Sequence, residues 1–377
     1  MSMVPIARRM LLHDKLRFLI TVAGVAFAVS LVFIQVGLFL GLLDNASITI
    51  EKSNADLWVT SRNTANIDYG QAFPANYVQR VRSVPGVERA DNLIVWFVRL
   101  NLPSGSTELV IAYAMEDFKR WNLPWNVSEG NVVDLRRGNY VFLDESASKR
   151  YGAFSLGDYR EFLGRRMKII GKSREVVSFT TTPVAFMDFH VAQTLDPQNL
   201  FDRTIYILVK LAPGADAERV RAEIQRRLPY NDVHRKDAWA RNTRNYWVKT
   251  TGIGLNMYLT VFLGCLVGVV VVAQTLYTST MEHFKEFATV KAIGGGNVDV
   301  YRILAKQALI AAVLGFAFGA IMSVGLQPVM TRIGLKLIVP PAFSGVVFFG
   351  TIVMCLLASL ISYWKIASMD PALVFRA

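Results

Sequence analysis

The sequence predicts a membrane protein in which four helical spans carry a large extracytoplasmic α+β domain, built from a split lobe and an inserted β-rich lobe. Three observations predict it. The windows 18–43, 250–281, 307–331 and 337–364 contain no Asp, Glu, Lys or Arg, and each is at least as long as the roughly 20 residues a helix needs to cross the hydrocarbon core. The stretch between the first two windows, residues 44–249, is mixed and polar, with short β-like runs between turn residues. Basic residues gather on one set of the short flanks, as topology requires of membrane helices.

The first window, "FLITVAGVAFAVSLVFIQVGLFLGLL", is apolar on every face; a buried helix of a water-soluble protein keeps a polar stripe at period 3.6. It is also too long for a cleaved leader. Orientation follows from the flanks. Arg8, Arg9, Lys15 and Arg17 precede it, Lys285, Lys291, Arg302 and Lys306 lie between the second and third windows, and Lys365 and Arg376 follow the fourth. Only Arg332 and Lys336 occupy the short loop between the third and fourth. Both termini and the 282–306 segment therefore belong in the cytoplasm, and residues 44–249 outside. The resulting order is a lead-in segment 1–17, spans 18–43 and 250–281 around the outer domain 44–249, a hairpin 282–306, span 307–331, an external loop 332–336, span 337–364 and a tail 365–377.

The net charge of +12 is distributed rather than patched. Residues 44–249 hold 29 basic against 24 acidic side chains, and much of the remaining excess is the topological bias itself. Nucleic-acid binding needs one dense basic face, so it is excluded as a partner. Both cysteines, Cys265 and Cys355, fall within spans. The outer domain is thus free of disulfides and large enough to bury its own core.

Within the outer domain a similar pattern occurs twice. "ADLWVTS" reads as a strand, followed by a helix, a Pro-Gly turn and another strand in "PANYVQRVRSVPGVERADNLIVWFVRL". "RTIYILVKL" and "APGADAERVRAEIQRRLPYNDVHRKD" repeat strand, turn, helix and return. Two such units at opposite ends of the segment form one split lobe. Between them, roughly from Leu102 to Leu200, "ELVIAYA", "NYVFLDES", "RMKIIGKSREVV" and "PVAFMDFHV" give an inserted β-rich lobe. "RNYWVKTTGIG" leads back to the bilayer with Tyr246, Trp247 and Lys249 at headgroup level.

Catalytic chemistry has little support. "GRRMKIIGKS" ends in Gly-Lys-Ser, but a Walker A loop needs four residues between its glycines so that backbone amides wrap the phosphates, and here there are six. The segment reads as a turn between strands. His13, His190, His234 and His283 are scattered without metal-ligand spacing, and no ionisable residue lies in a span to couple ions. Catalytic and metal residues are accordingly read as none.

Three spans carry glycine pairs at spacing four: Gly37 and Gly41, Gly264 and Gly268, Gly315 and Gly319. Such pairs let helix backbones approach where the bilayer supplies no hydrophobic drive between them. The first two pairs are assigned to a seam between two copies of the chain.

"MEHFKEFATVKAIGGG", Met281–Gly296, follows the second span directly. The helix continues without a breaker, placing Glu282 with Glu286, and Phe284 with Phe287 or Ala288, on adjacent turns. Gly294, Gly295 and Gly296 stop it, because glycine accepts the left-handed C-cap conformation. Asn297 and Asp299 then cap the next helix. The segment is a charged hairpin projecting inward.

This motif, with an N-terminal span, a large outer domain and two further spans, resembles the FtsX/MacB-type permeases, the type VII ABC transporters. "DKLRFLITVAGVAFAVSLVFIQVGLFLGLLDNA" and "NADLWV" are similar to the DevC-type members. The resemblance implies a bacterial inner-membrane homodimer served by two copies of a separate ABC ATPase, which binds ATP and Mg so that this chain holds no cofactor. It implies a periplasmic adaptor (membrane-fusion) protein and an outer-membrane channel as partners. The ATPase would grip the hairpin, mapped here to Glu282, His283, Phe284, Lys285, Glu286, Lys291, Gly294, Gly295 and Gly296, and "PIARRMLLHDKLRF" would be an amphipathic helix along the inner face. Export of an amphipathic compound by motion of the periplasmic lobes is the implied activity. An FtsX-like signal transducer acting on cell-wall hydrolases and a lipoprotein-releasing permease are the alternatives within the superfamily.

Overall fold

The computed structural model describes residues 15–180, 182–282, 296–332 and 334–367. The chain divides into a membrane unit, Met1–Gly41 with Gly254–Ala377, and an outer unit, Leu42–Ile253. The first helix, α1 (Lys15–Lys52), contributes to both. Asp44–Lys52 contains no glycine or proline, so nothing stops the helix where the apolar window ends. In the outer unit its last turns bury Ala46, Ser47, Thr49 and Ile50.

Besides a two-residue pair, Phe73–Pro74 with Arg203–Thr204, ten strands follow among the described residues: β1 (Leu57–Ser61), β2 (Val87–Asn101), β3 (Thr107–Met115), β4 (Val127–Glu129), β5 (Tyr140–Asp144), β6 (Tyr159–Phe162), β7 (Arg165–Ser173), β8 (Val184–Asp188), β9 (Tyr206–Leu211) and β10 (Asn231–Arg235). They form one sheet in spatial order β10-β1-β9-β2-β3-β8-β5-β7-β4, with β6 against β2 and β7. Helix α2 (Tyr77–Arg82) joins β1 to β2, α3 (Ala217–Arg227) joins β9 to β10, and α4 (Lys236–Lys249) leads out.

The split lobe is the antiparallel group β10-β1-β9-β2, two β-α-β units interleaved in a ferredoxin-like arrangement. Val78 and Val81 of α2 and Val220 and Ile224 of α3, each pair on one helix face, close over Leu57, Val59, Ile207 and Val209. Asp216 starts α3 by accepting from the amides of Glu218 and Arg219 at 2.9 and 3.4 Å.

Both lobes share one strand. Residues Val87–Leu93 of β2 pair with β9, and Ile94–Asn101 pair with β3. Sequence pattern starts the inserted lobe near Leu102, whereas the hand-over falls at Leu93 and Ile94. No turn residue interrupts β2 there, and both residues are fully buried. The inserted lobe continues through parallel β3–β8 and β5–β7 pairs, around a core including Phe142, Phe186 and Met187. "RMKIIGKS" is part of strand β7 rather than a turn. A Cβ on Gly171 would lie 2.1 Å from the Phe142 ring, so the glycine of that Gly-Lys-Ser serves side-chain packing.

Three further helices are α5 (Ile253–Glu282), α6 (Asn297–Arg332) and α7 (Pro341–Ala367); with α1 they are, among the described residues, the four helices long and apolar enough to cross a membrane. α1 is their shared neighbour in the membrane unit. Val25, Val29 and Phe33 meet Val272 and Leu276 of α5, Ala308 and Ala312 of α6, and Val347 and Cys355 of α7. The glycines set these approaches. A Cβ on Gly264 would be 2.7 Å from Leu31, on Gly268 2.9 Å from Ala28, on Gly315 2.4 Å from Val25, and on Gly319 2.8 Å from the Ala26 carbonyl oxygen. Gly37 and Gly41 are covered by the segment Lys336–Ile338: Ile338 N donates to Gly37 O at 3.0 Å, and a Cβ on Gly41 would overlap Lys336 O. Spacing alone assigned the first two pairs to a seam between copies. The structure instead occupies them within a single chain, because α1 and its neighbours consume the space that each missing side chain leaves.

Gly319→Leu should therefore lower the melting temperature of the detergent-solubilised chain markedly, at a cost of about 1–3 kcal/mol for overpacking. Gly325→Leu, at a glycine of the same helix with nothing within 4 Å, should leave it unchanged. Equal effects from the two would refute the packing role.

Candidate coupling site

The hairpin motif divides unevenly. His283, Phe284, Lys285, Glu286, Lys291, Gly294 and Gly295 lie outside the described residues, as do His13 and the amphipathic lead-in segment up to residue 14. What is described are the two ends that hold the motif. α5 delivers Glu282 as its last residue. On the return side the Gly296 amide donates to Asp299 Oδ2 at 3.1 Å, and Gly296 O accepts from Asp299 N at 3.0 Å. Asp299 thus satisfies a free amide at the start of α6 and sets a carboxylate against its dipole.

Two contacts anchor these ends. Arg17, in the first turn of α1, forms an ion pair and a hydrogen bond with Glu282. Val300, Ile303 and Leu304 of α6 are buried against Tyr277 of α5 and Tyr363 of α7, and Tyr301 meets Tyr363 edge-on at 5.7 Å. The starts of α1 and α6 and the ends of α5 and α7 are so gathered at one end of the membrane unit. Glu282, grouped by sequence with the residues that face a partner, has a cation of its own chain. No periodicity signals this, since Arg17 and Glu282 are 265 residues apart.

The outer unit holds a second feature that sequence does not mark. Between β1 and α2, Asn66 accepts from the amides of Asp68 and Tyr69 at 2.9 and 3.1 Å, closing a tight turn. The turn buries Asp68, which is 6% exposed. Burial pushes its carboxyl up to about 7; the hydroxyls of Tyr113 of β3 and Tyr206 of β9 are raised by their own burial first and by the nearby Asp68 charge second. Tyr206 donates to the carbonyls of Asn66 and Ile67 at 3.2 and 2.8 Å, and the Tyr113 and Thr49 hydroxyls are 3.4 Å apart. This polar cluster therefore joins the turn to β9 of the split lobe, β3 of the inserted lobe and the outer end of α1.

Among the described residues no three His, Cys, Asp or Glu side chains gather to hold a metal. His190 is exposed near Glu116 at 3.9 Å, and His234 stacks on Trp239 at 4.8 Å with its imidazole held down by burial. Within the membrane unit the contacts tie helix ends together, and within the outer unit the polar cluster ties the two lobes together.

Fold and site define an integral membrane protein with a large extracytoplasmic α/β domain and no nucleotide loop of its own among the described residues. Family profiles agree with that division. Residues 18–227 match the MacB-like periplasmic core domain and residues 258–371 the FtsX-like permease C-terminal domain. The chain belongs to the FtsX/MacB superfamily, the type VII ABC transporter permeases. It is 25% identical over 365 residues to an uncharacterised ABC transporter permease of Mycobacterium bovis and 25% identical over 371 residues to one of Mycobacterium tuberculosis, covering 96% of each chain in both cases. Among solved structures it is similar to the periplasmic region of MacB from Actinobacillus actinomycetemcomitans, with 12% identity, a TM-score of 0.41, and coverage of 52% of this chain and 96% of that one. The extracellular domain of the ABC-type transporter YknZ gives 14% identity and a TM-score of 0.36, over 48% and 98%. As an ABC transporter permease the chain is a membrane subunit whose family implies an ATPase partner.

Two measurements test these contacts. Arg17→Glu or Glu282→Arg alone should destabilise the membrane unit by no more than about 1 kcal/mol, more at low than at high salt, and the double exchange should restore the parent melting temperature. Failure of the exchange to restore it would exclude the pair. For Asp68, whose folded value is raised, the folded chain keeps a proton that the unfolded chain releases between about pH 4 and pH 7, so stability falls as pH rises through that window. Asp68→Asn should melt higher than the parent near pH 8, and the gap should close towards pH 4; a gap independent of pH would contradict the assignment.

Proposed function

We propose that the chain is the permease subunit of a DevC-type, ATP-driven tripartite exporter of an amphipathic compound, working by mechanical transmission from the cytoplasm to its outer domain. The observation that carries this reading is the pairing of a two-lobed MacB-like outer domain with spans that hold no ionisable residue along their apolar windows. A charged cargo or coupling ion crossing the bilayer through this chain would need polar groups there. Substrate is instead taken up and expelled on the outer side, with the termini and the 282–296 segment in the cytoplasm.

ATP and Mg bind to a separate ATPase dimer, which grips the charged hairpin. Closure of that dimer moves the inner ends of α1 and α5. α1 is one helix with residues in both units, and the joint around Asp68 ties its outer end to both lobes. Two copies of the chain form the permease, and since the glycine pairs are filled within each chain, the seam between copies uses other surfaces. A periplasmic adaptor and an outer-membrane channel complete the path.

Glu286, the other acidic residue of the 282–296 segment, is the one to separate the two roles. Glu286→Lys should abolish co-purification of the ATPase from mild detergent and lower transport at least tenfold, while the Arg17→Glu, Glu282→Arg exchange retains both. Normal ATPase recovery with Glu286→Lys would sink the docking assignment. Recovery of a cell-wall hydrolase or a lipoprotein chaperone in place of an adaptor would replace the exporter reading with signalling or lipoprotein release.

A further inference from the structure

The rim of the inserted lobe contains a buried cation with no counter-charge in ion-pair range among the described residues. β6 alternates outward and inward, with Tyr159 exposed and Phe162 fully buried, and Arg160 takes the inward register beside Phe162. An apolar residue is the ordinary occupant of such a position. Arg160 is 8% exposed and donates to two backbone carbonyls, Tyr159 O at 3.1 Å and Ala153 O at 2.8 Å. A guanidinium carries five N–H donors, and no carboxylate lies within ion-pair distance of Arg160 among the described residues. Burying a charge this way is costly unless something compensates it.

Arg160 lines a cavity of about 500 Å³. On its wall Arg150 pairs with Glu108 at 3.0 Å. At its mouth the Ser104 and Ser106 hydroxyls lie 2.8 Å apart in the turn between β2 and β3. The lining therefore holds two guanidinium groups against one carboxylate, with hydroxyl donors at the rim. A planar guanidinium recognises carboxylate and phosphate oxygens in pairs.

We infer that this cavity is an anion-recognition site, in which Arg160 binds the carboxylate or phosphate group of a small extracytoplasmic ligand and Arg150 and the two serines complete its shell. The site is independent of how the spans are driven and does not involve the hairpin. Arg160 supplies the buried charge; Glu108 competes with the ligand for Arg150.

The test uses the full chain in non-ionic detergent at fixed ionic strength, titrated with inorganic phosphate, with glutarate and with neutral glutaramide while melting temperature and heat of binding are followed. Saturable stabilisation by phosphate or glutarate, and none by glutaramide, is expected; the tighter of the two anions identifies the ligand class. Arg160→Gln should weaken binding at least about tenfold, equivalent to about 1.4 kcal/mol. Glu108→Gln, a change at a half-buried side chain that frees Arg150, should tighten it several-fold. No saturable response to either anion in the parent chain, or an unchanged affinity in Glu108→Gln or in folded Arg160→Gln, would overturn the proposal.

Discussion

Close approach of helix backbones to α1 is the constraint on which the membrane unit depends. Between spans in lipid there is no hydrophobic gain, so stability comes from van der Waals contact and interhelical hydrogen bonds. α1 meets both demands. Gly264 and Gly268 bring α5 onto Leu31 and Ala28, and Gly315 and Gly319 bring α6 onto Val25 and Val29. Ser30 then donates to the Gly319 carbonyl at 3.1 Å, a bond possible only because the backbones are so close. With α1 at the centre, the end of α5, the start of α6 and the end of α7 converge near Arg17 and Tyr277.

The outer unit solves a different problem, that of inserting one β lobe into another without a hinge of exposed loops. A single strand, β2, belongs to both, so the two lobes share one hydrogen-bonded ladder at Leu93 and Ile94. Asp68 and the tyrosines around it occupy the same junction. Burial disfavours the charged form of the Asp68 carboxyl, and the joint is held by packing and by tyrosine hydroxyls. That makes it sensitive to proton concentration in a way that a surface ion pair is not.

Much of this was legible in the chain and some was not. Absence of charge over whole windows announces the spans, because a membrane tolerates few alternatives. The repeated strand-helix-strand pattern announces the split lobe, since apolar residues of α2 and α3 recur on one face. By contrast, glycine spacing states that something approaches closely but not what does. Gly37 is covered by Lys336–Ile338, three hundred residues away in sequence and brought back by α7's loop, and no pattern in the first span encodes that partner. Arg17 with Glu282, and Arg160 with its cavity, were invisible for the same reason: an ion pair or a missing counter-charge is a relation between distant positions.

By itself the sequence determined the number of spans, the flanks on which basic residues gather, the two-lobed character of the outer domain and its resemblance to the FtsX/MacB permeases. These are properties of local composition and period, which act on each segment independently of the rest. Only the tertiary structure decided which glycine receives which neighbour, where one lobe passes into the other within β2, and which charges are paired or buried. Those depend on distances between segments far apart in the chain, and the energies concerned exist only once folding has removed the water between them.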